Sequence, residues 1–151
     1  MFTLVPLSFF EPAAAHKALA EVARIDEGAK VSYKKIPAYH AALVYTVSGS
    51  ANSLPEIYYV LQYLPQIKDG VKILCSWTDG ELSMAIARGE RLLLANSFKA
   101  QDFTTALYFI LLALKSLELN SEAICIHFRQ QLNAADENTL YSYFKAVKFT
   151  I

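Results

Sequence analysis

"VKILCSWTDGELSMAIARGERLLLA", from Val71 to Ala95, is the stretch on which the fold turns. Three apolar runs, Val71 to Trp77, Leu82 to Arg88 and Arg91 to Ala95, are separated by Thr78-Asp79-Gly80-Glu81 and by Gly89-Glu90. Asp-Gly is the pair that accepts the positive φ a tight hairpin demands. The spacing therefore predicts a meander of three antiparallel strands.

Downstream, "NSFKAQDFTTALYFILLALKSLEL" (Asn96 to Leu119) reads as a helix that is apolar on nearly every side. Its apolar core, Phe103 to Leu114, spans about 18 Å at a rise of ~1.5 Å per residue, short of the roughly 20 residues a bilayer requires. Such a helix is expected to be covered on nearly every side. Asn96 and Ser97 are expected to form the capping turn at its start. "AICIHF" (Ala123 to Phe128) follows as a strand, then a helix over Ala134 to Phe144, then a closing strand "AVKFTI". The order is β-β-β-α-β-α-β, which predicts a mixed α/β sheet with helices on both faces. It is the order of the repeating lobe of ribonuclease-H-like and actin-like folds.

Upstream of the meander, "IKDG" (Ile67 to Gly70) is the expected boundary, dividing the chain into 1–66 and 67–151. The first part predicts a strand at Phe2 to Val5 and a helix from Pro12 to Ile25. Strands at Val31 to Ile36 and Ala41 to Val47 follow, the second bounded by Ser48-Gly49-Ser50. A further helix lies in "NSLPEIYYVLQYLPQ", with Ser53 as N-cap and Glu56 completing a capping box.

Apolar residues make up 54% of the 151 and charged residues 19%, enough apolar content for a sizeable core. The formal net charge is zero, and Lys34-Lys35 is the only adjacent basic pair. A nucleic-acid binder shows its electrostatic footprint at this level, so nucleic acid is not the expected partner. "MFTLVPLSFFEP" lacks the charged start and unbroken apolar run of a secretory signal. Cys75 and Cys125 each sit in an apolar run, the setting of reduced core thiols. A cytoplasmic protein without a membrane span is expected.

"TLVPLSFFEP" (Thr3 to Pro12), "HAALVYTVSGS" (His40 to Ser50) and "GERLLLANSFKAQDFTTALYFILLALKSLELNSEAICIHF" (Gly89 to Phe128) resemble an uncharacterised bacterial family with an actin-like ATPase fold. Leu94, Asn96, Ser97, Phe98, Asp102, Phe103 and Tyr108 carry the most specific part of the pattern. The resemblance implies that 67–151 is a complete second lobe and 1–66 the rear of a first lobe whose front meander precedes Met1. It also implies that the long helix lies between its own sheet and the neighbouring lobe. An incomplete lobe leaves strand edges open, which favours a protein partner or a homodimer.

Actin-like ATPases hold phosphates on glycine-containing hairpin turns, where backbone N–H groups crowd an anion. Five glycines are present, and the one turn of this type is "TDGELS" (Thr78 to Ser83), with Asp79, Gly80 and Ser83 as the candidate nucleotide-binding residues. "RQQLNAAD", after the Ala123 to Phe128 strand, has no glycine for an adenosine loop. A metal nuclease needs carboxylates converging on the central strand. "VKILCSW" carries none, while Asp79, Glu81 and Glu118 lie at its periphery. Cys125 and His127 share a strand face by alternation, but two donors fall short of the three or four a metal wants. His16 and His40 are expected at the surface. With no nucleophile elbow, no catalytic residue, metal or cofactor is expected. The tyrosines of the first half (Tyr33, Tyr39, Tyr58, Tyr59, Tyr63) suit an interface as well as a core. The expected function is a non-catalytic scaffold or protein-interaction module. A nucleotide-dependent switch and a metal nuclease are the alternatives.

Overall fold

The structure, a computed structural model, describes residues 1–47 and 54–150. Ser53, and with it the capping box to Glu56, lies outside the described residues, as does Ser48-Gly49-Ser50. The chain divides into two compact units, Met1–Tyr59 and Val60–Ile151.

The first unit is an antiparallel sheet of β1 (Phe2–Pro6), β2 (Lys30–Ile36) and β3 (Ala41–Val47) in the order β1-β3-β2. The β-branched and aromatic run of β3 takes the centre, and Ala41 to Tyr45 are all buried. A 3-10 turn at Pro37–Tyr39 reverses the chain, and His40 closes it at φ 51°. The expected helix from Pro12 to Ile25 is shorter: a 3-10 turn at Pro12–Ala14 leads into α1 (Ala15–Ala20). Ala15 and Leu19 pack on Val44, and Val22 is 65% exposed. With only these two residues buried, there is little packing to sustain further turns.

The second unit is a five-stranded sheet in the order β6-β5-β4-β7-β8. Its strands are β4 (Val71–Thr78), β5 (Glu81–Arg88), β6 (Arg91–Lys99), β7 (Cys125–Phe128) and β8 (Ala146–Phe149). The meander β4-β5-β6 is antiparallel, and β4, β7 and β8 run parallel. Helix α2 (Glu56–Tyr63) precedes the sheet, α3 (Phe103–Ser116) joins β6 to β7, and α4 (Ala134–Tyr141) joins β7 to β8. Among the described residues no helix is long and apolar enough to cross a membrane.

Alternation splits the sheet into two unlike faces. Ile73, Cys75, Leu82, Met84, Ile86, Ile126, Phe128 and Val147 share one face and form a single core with residues of both α3 and α4. Both connecting helices thus lie on one face, not on two as the element order suggested. Right-handed crossovers that step across a sheet in the same direction, β6 to β7 and then β7 to β8, leave their helices on the same side. The other face carries mostly small and polar residues, Ser76, Ser83, Ala85, Ala87, Cys125 and His127, with Leu74 and Lys72 buried among them.

Two further expectations change. Helix α3 buries Phe103, Ala106, Leu107, Ile110, Ala113 and Leu114, one stripe at spacings of three and four, while Tyr108 is 57% and Leu112 46% exposed. It is an amphipathic helix with an apolar outer face, not one covered on nearly every side. Asn96 and Ser97 belong to β6, opposite Met84 and Ser83, and do not cap it. The cap is Asp102, whose Oδ1 accepts the Thr105 N–H at 2.7 Å. The ladder to β5 extends the strand past the expected stop at Ala95 because Leu94 and Phe98 bring further apolar area onto the core.

That hydrogen bond holds the Asp102 carboxyl below its usual range. A depressed native pKa means that the stabilisation is present above the unfolded value and lost as pH falls through the native one. Asp102→Ala is expected to lower the melting midpoint at neutral pH and to converge with the wild type in acid, with Asp102→Ser retaining most of the cap. Tyr39 gives the opposite sign. Its hydroxyl is buried, has no hydrogen-bond partner among the described residues, and titrates at about 12 because burial disfavours the anion. The stability this contributes is complete below pH ~10 and lost as pH rises towards the native value. In denaturant melts against pH, Tyr39→Phe should remove that alkaline loss and, by deleting an unpaired buried hydroxyl, leave neutral-pH stability equal or higher.

Candidate functional site

Three places in the second unit bear on function. The first is the expected phosphate turn. Asp79 (φ 52°) and Gly80 (φ 73°) form a two-residue hairpin turn with positive φ at both central positions. The turn is tied down: Ala100 N–H donates to Gly80 O at 2.8 Å, and a Cβ on Gly80 would lie 2.8 Å from the Gln101 amide group. Ser83, 2% exposed, sits within β5 with its Oγ 3.2 Å from Ser97 Oγ. The structure therefore keeps Asp79 and Gly80 together at the turn and places Ser83 in the buried polar face. Glu81 is exposed beside the turn. Glu118 lies at the opposite end of the sheet, where α3 terminates with Glu118 at φ 57° and Leu119 N–H donating to Leu114 O at 2.9 Å. These acids do not converge.

The second place is at the amino ends of the parallel strands β4, β7 and β8. A cleft of about 580 Å³ opens there, lined by Asp69, Asn120, Cys125, Lys145 and Lys148 among others. On the polar sheet face beside it, His127 is 7% exposed and held from both sides. Its Nε2 is 3.0 Å from Asp69 Oδ2, and its Nδ1 is 2.8 Å from Thr150 Oγ1. One donor atom from each of Asp69, Cys125 and His127 lies within 4.8 Å of the others. The Cys125 thiol is pushed up by burial and by the Asp69 carboxylate, against the pull of Lys148 and Lys145. These surroundings favour the thiol over the thiolate, unlike those of a nucleophilic cysteine. Cys75, on the neighbouring strand, faces the apolar core on the other side, where burial pushes its thiol far up. The two cysteines are on adjacent strands but opposite faces, both free.

The sequence pairs Cys125 with His127 through strand alternation. It does not reveal Asp69, 56 positions before Cys125 and outside any regular element, whose approach depends on β4 pairing with β7. Nor does it reveal Thr150. His16 and His40 are exposed and belong to the first unit.

The third place is the β6 edge. Among the described residues β6 pairs only with β5. A groove of about 230 Å³ runs between it and α3, lined by Leu94, Phe98, Phe109, Leu112, Ala113 and Ser116. Phe98 and Phe109 stack within it at 4.6 Å. The strand is apolar through Leu92, Leu93, Leu94 and Ala95, with exposed cations only at its ends, Arg91 and Lys99. Of the tyrosines offered by the sequence, Tyr33 packs on Phe10 at 4.9 Å and Tyr63 lies under the Arg129 guanidinium. The more exposed tyrosines are Tyr108, Tyr141 and Tyr143.

One solved structure matches along 99% of this chain with a TM-score of 0.78 and 22% identity. It is a Bacteroides thetaiotaomicron protein described as having an actin-like ATPase fold and unknown function. At that identity the likeness shows the fold, and this chain spans 64% of that protein's length. No curated protein matches. The model of a family described as "Protein of unknown function (DUF3822)" matches residues 1–147, and the chain belongs to that family.

Proposed function

We propose that the chain is a non-catalytic protein-interaction module on an actin-like fold, cytoplasmic, with its docking surface at the β6 edge. Residues 67–151 act as a complete second lobe, and 1–66 correspond to the rear of a first. The observation that carries the reading is the edge itself. A nine-residue strand rich in leucine, with an apolar groove alongside, exposes the features that proteins otherwise blunt with charges or cover. A partner strand added there gains main-chain hydrogen bonds, and its alternate side chains enter the groove.

The charges choose the partner. In a symmetric antiparallel pair of two β6 strands, Arg91 of one copy faces Lys99 of the other, and like charges directly opposite are destabilising. An extended segment with an apolar centre and acidic residues at its ends fits better. The nucleotide-switch reading is supported by the fold of the structural neighbour but has the Gln101 amide against its one phosphate turn.

The test uses a labelled nine-residue peptide of alternating valine and threonine with aspartate at both ends. Fluorescence anisotropy should show binding that weakens with salt, is abolished by Leu112→Glu, and drops at least ~5-fold (about 1 kcal/mol, the scale of one cross-strand charge pair) in Arg91→Glu/Lys99→Glu. Binding indifferent to these changes, or a concentration-dependent dimer by sedimentation that Leu112→Glu dissolves, would reject the acidic-segment reading. Magnesium-ATP is expected to leave the melting midpoint unchanged; a rise of several degrees would install the switch instead.

A further inference from the structure

We propose that Asp69, Cys125 and His127 form a binding site for a single zinc ion, with the fourth coordination position open to the cleft beside them. The donor set is one sulfur, one nitrogen and one oxygen, each from a group that zinc accepts, whereas magnesium and calcium take oxygen alone. Tetrahedral bonds of about 2.0 to 2.3 Å place ligand atoms roughly 3.3 to 3.7 Å apart. Asp69 Oδ2 and His127 Nε2 already stand 3.0 Å apart, and all three donors lie within 4.8 Å. Closing the set shortens the widest of these separations by no more than about 1 Å.

The residues around the donors are those a metal site needs. Once Nε2 is given to the ion, Nδ1–H donates to Thr150 Oγ1, now at 2.8 Å. That is the outer contact that fixes tautomer and ring orientation in metal-bound histidines. Thr150 is itself anchored, its N–H donating to Phe128 O at 2.8 Å. Cys125 and His127 are two apart on one strand, so the ladder to β4 and β8 sets their spacing. As the S–Zn bond forms, the thiol proton leaves to solvent. The thiolate and the carboxylate then balance the two charges of the ion, and Lys145 and Lys148 make the cleft favour water, hydroxide or another small anion at the fourth position.

The first measurement is cobalt substitution of the unmodified protein, which depends on no variant. Cobalt(II) should give the intense d–d bands of a tetrahedral site and a thiolate-to-metal charge-transfer band, both displaced by one equivalent of zinc. An octahedral spectrum without the charge-transfer band would overturn the proposal. Zinc titration against a chromogenic chelator should show one site, at least 100-fold weaker in Cys125→Ser and His127→Gln, and 10- to 100-fold weaker in Thr150→Val. His16→Gln should leave affinity unchanged. Zinc affinity insensitive to Cys125 and His127 but sensitive to His16 would assign the metal to the surface and reject the site.

Discussion

The C-terminal unit depends on one apolar sheet face. Ile73, Cys75, Met84, Ile86, Ile126 and Phe128 are all without solvent exposure, and they come from the three central strands in a register that brings every one to the same side. At roughly 1.5 to 3 kcal/mol for each large apolar side chain buried, this face outweighs any single hydrogen bond in the unit. It also fixes what the opposite face can be. A one-residue slip of β7 would send Cys125 and His127 into the core and Ile126 and Phe128 out of it, so the packing of the apolar side holds the polar side in place.

That division explains why α3 and α4 share one face and why the chemistry gathers on the other. Cys125, His127, Ser76 and Ser83 alternate along their strands with the most buried apolar residues, and the two hydroxyls and the imidazole each have a nearby answer. Ser83 meets Ser97, Ser76 receives a hydrogen bond from Gln130 at 2.7 Å, and His127 lies between Asp69 and Thr150. Lys72, buried on the same face, sends its Nζ to Ile67 O at 3.3 Å. These are donors and acceptors satisfied inside low-dielectric surroundings, where an unpaired group would be costly.

Much of this was legible in the sequence. The Asp79-Gly80 turn, the three-strand meander and the α-β-α-β sequence after it depend on local patterns, and local patterns are what a sequence displays. The actin-like fold and the family were legible in three stretches, Thr3 to Pro12, His40 to Ser50 and Gly89 to Phe128. Where the structure differs, tertiary context decides. Asn96 and Ser97 resemble a cap because serine and asparagine favour caps, but tertiary pairing with β5 overrode that propensity. Tyr108 and Leu112 give α3 an apolar outer face that the sequence pattern cannot tell from a covered one, and apolar residues stay outside more often than the rule suggests. The Asp69–His127 contact spans 58 positions, and no periodicity encodes a meeting of that kind.

The strand order also has a consequence in time. β4, β5 and β6 are joined by turns of two residues and can pair as soon as they exist, whereas β7 and β8 must wait for α3 and α4 to be synthesised. Local hairpins close in microseconds and a ribosome adds roughly 5 to 20 residues per second. For seconds, then, the nascent chain holds a finished three-stranded meander whose leucine- and isoleucine-rich face has no helix against it. The emerging chain is most prone to stick to its neighbours in that interval, and slowing or hastening translation between Lys99 and Ser116 would change the yield of folded protein without altering a single contact in it.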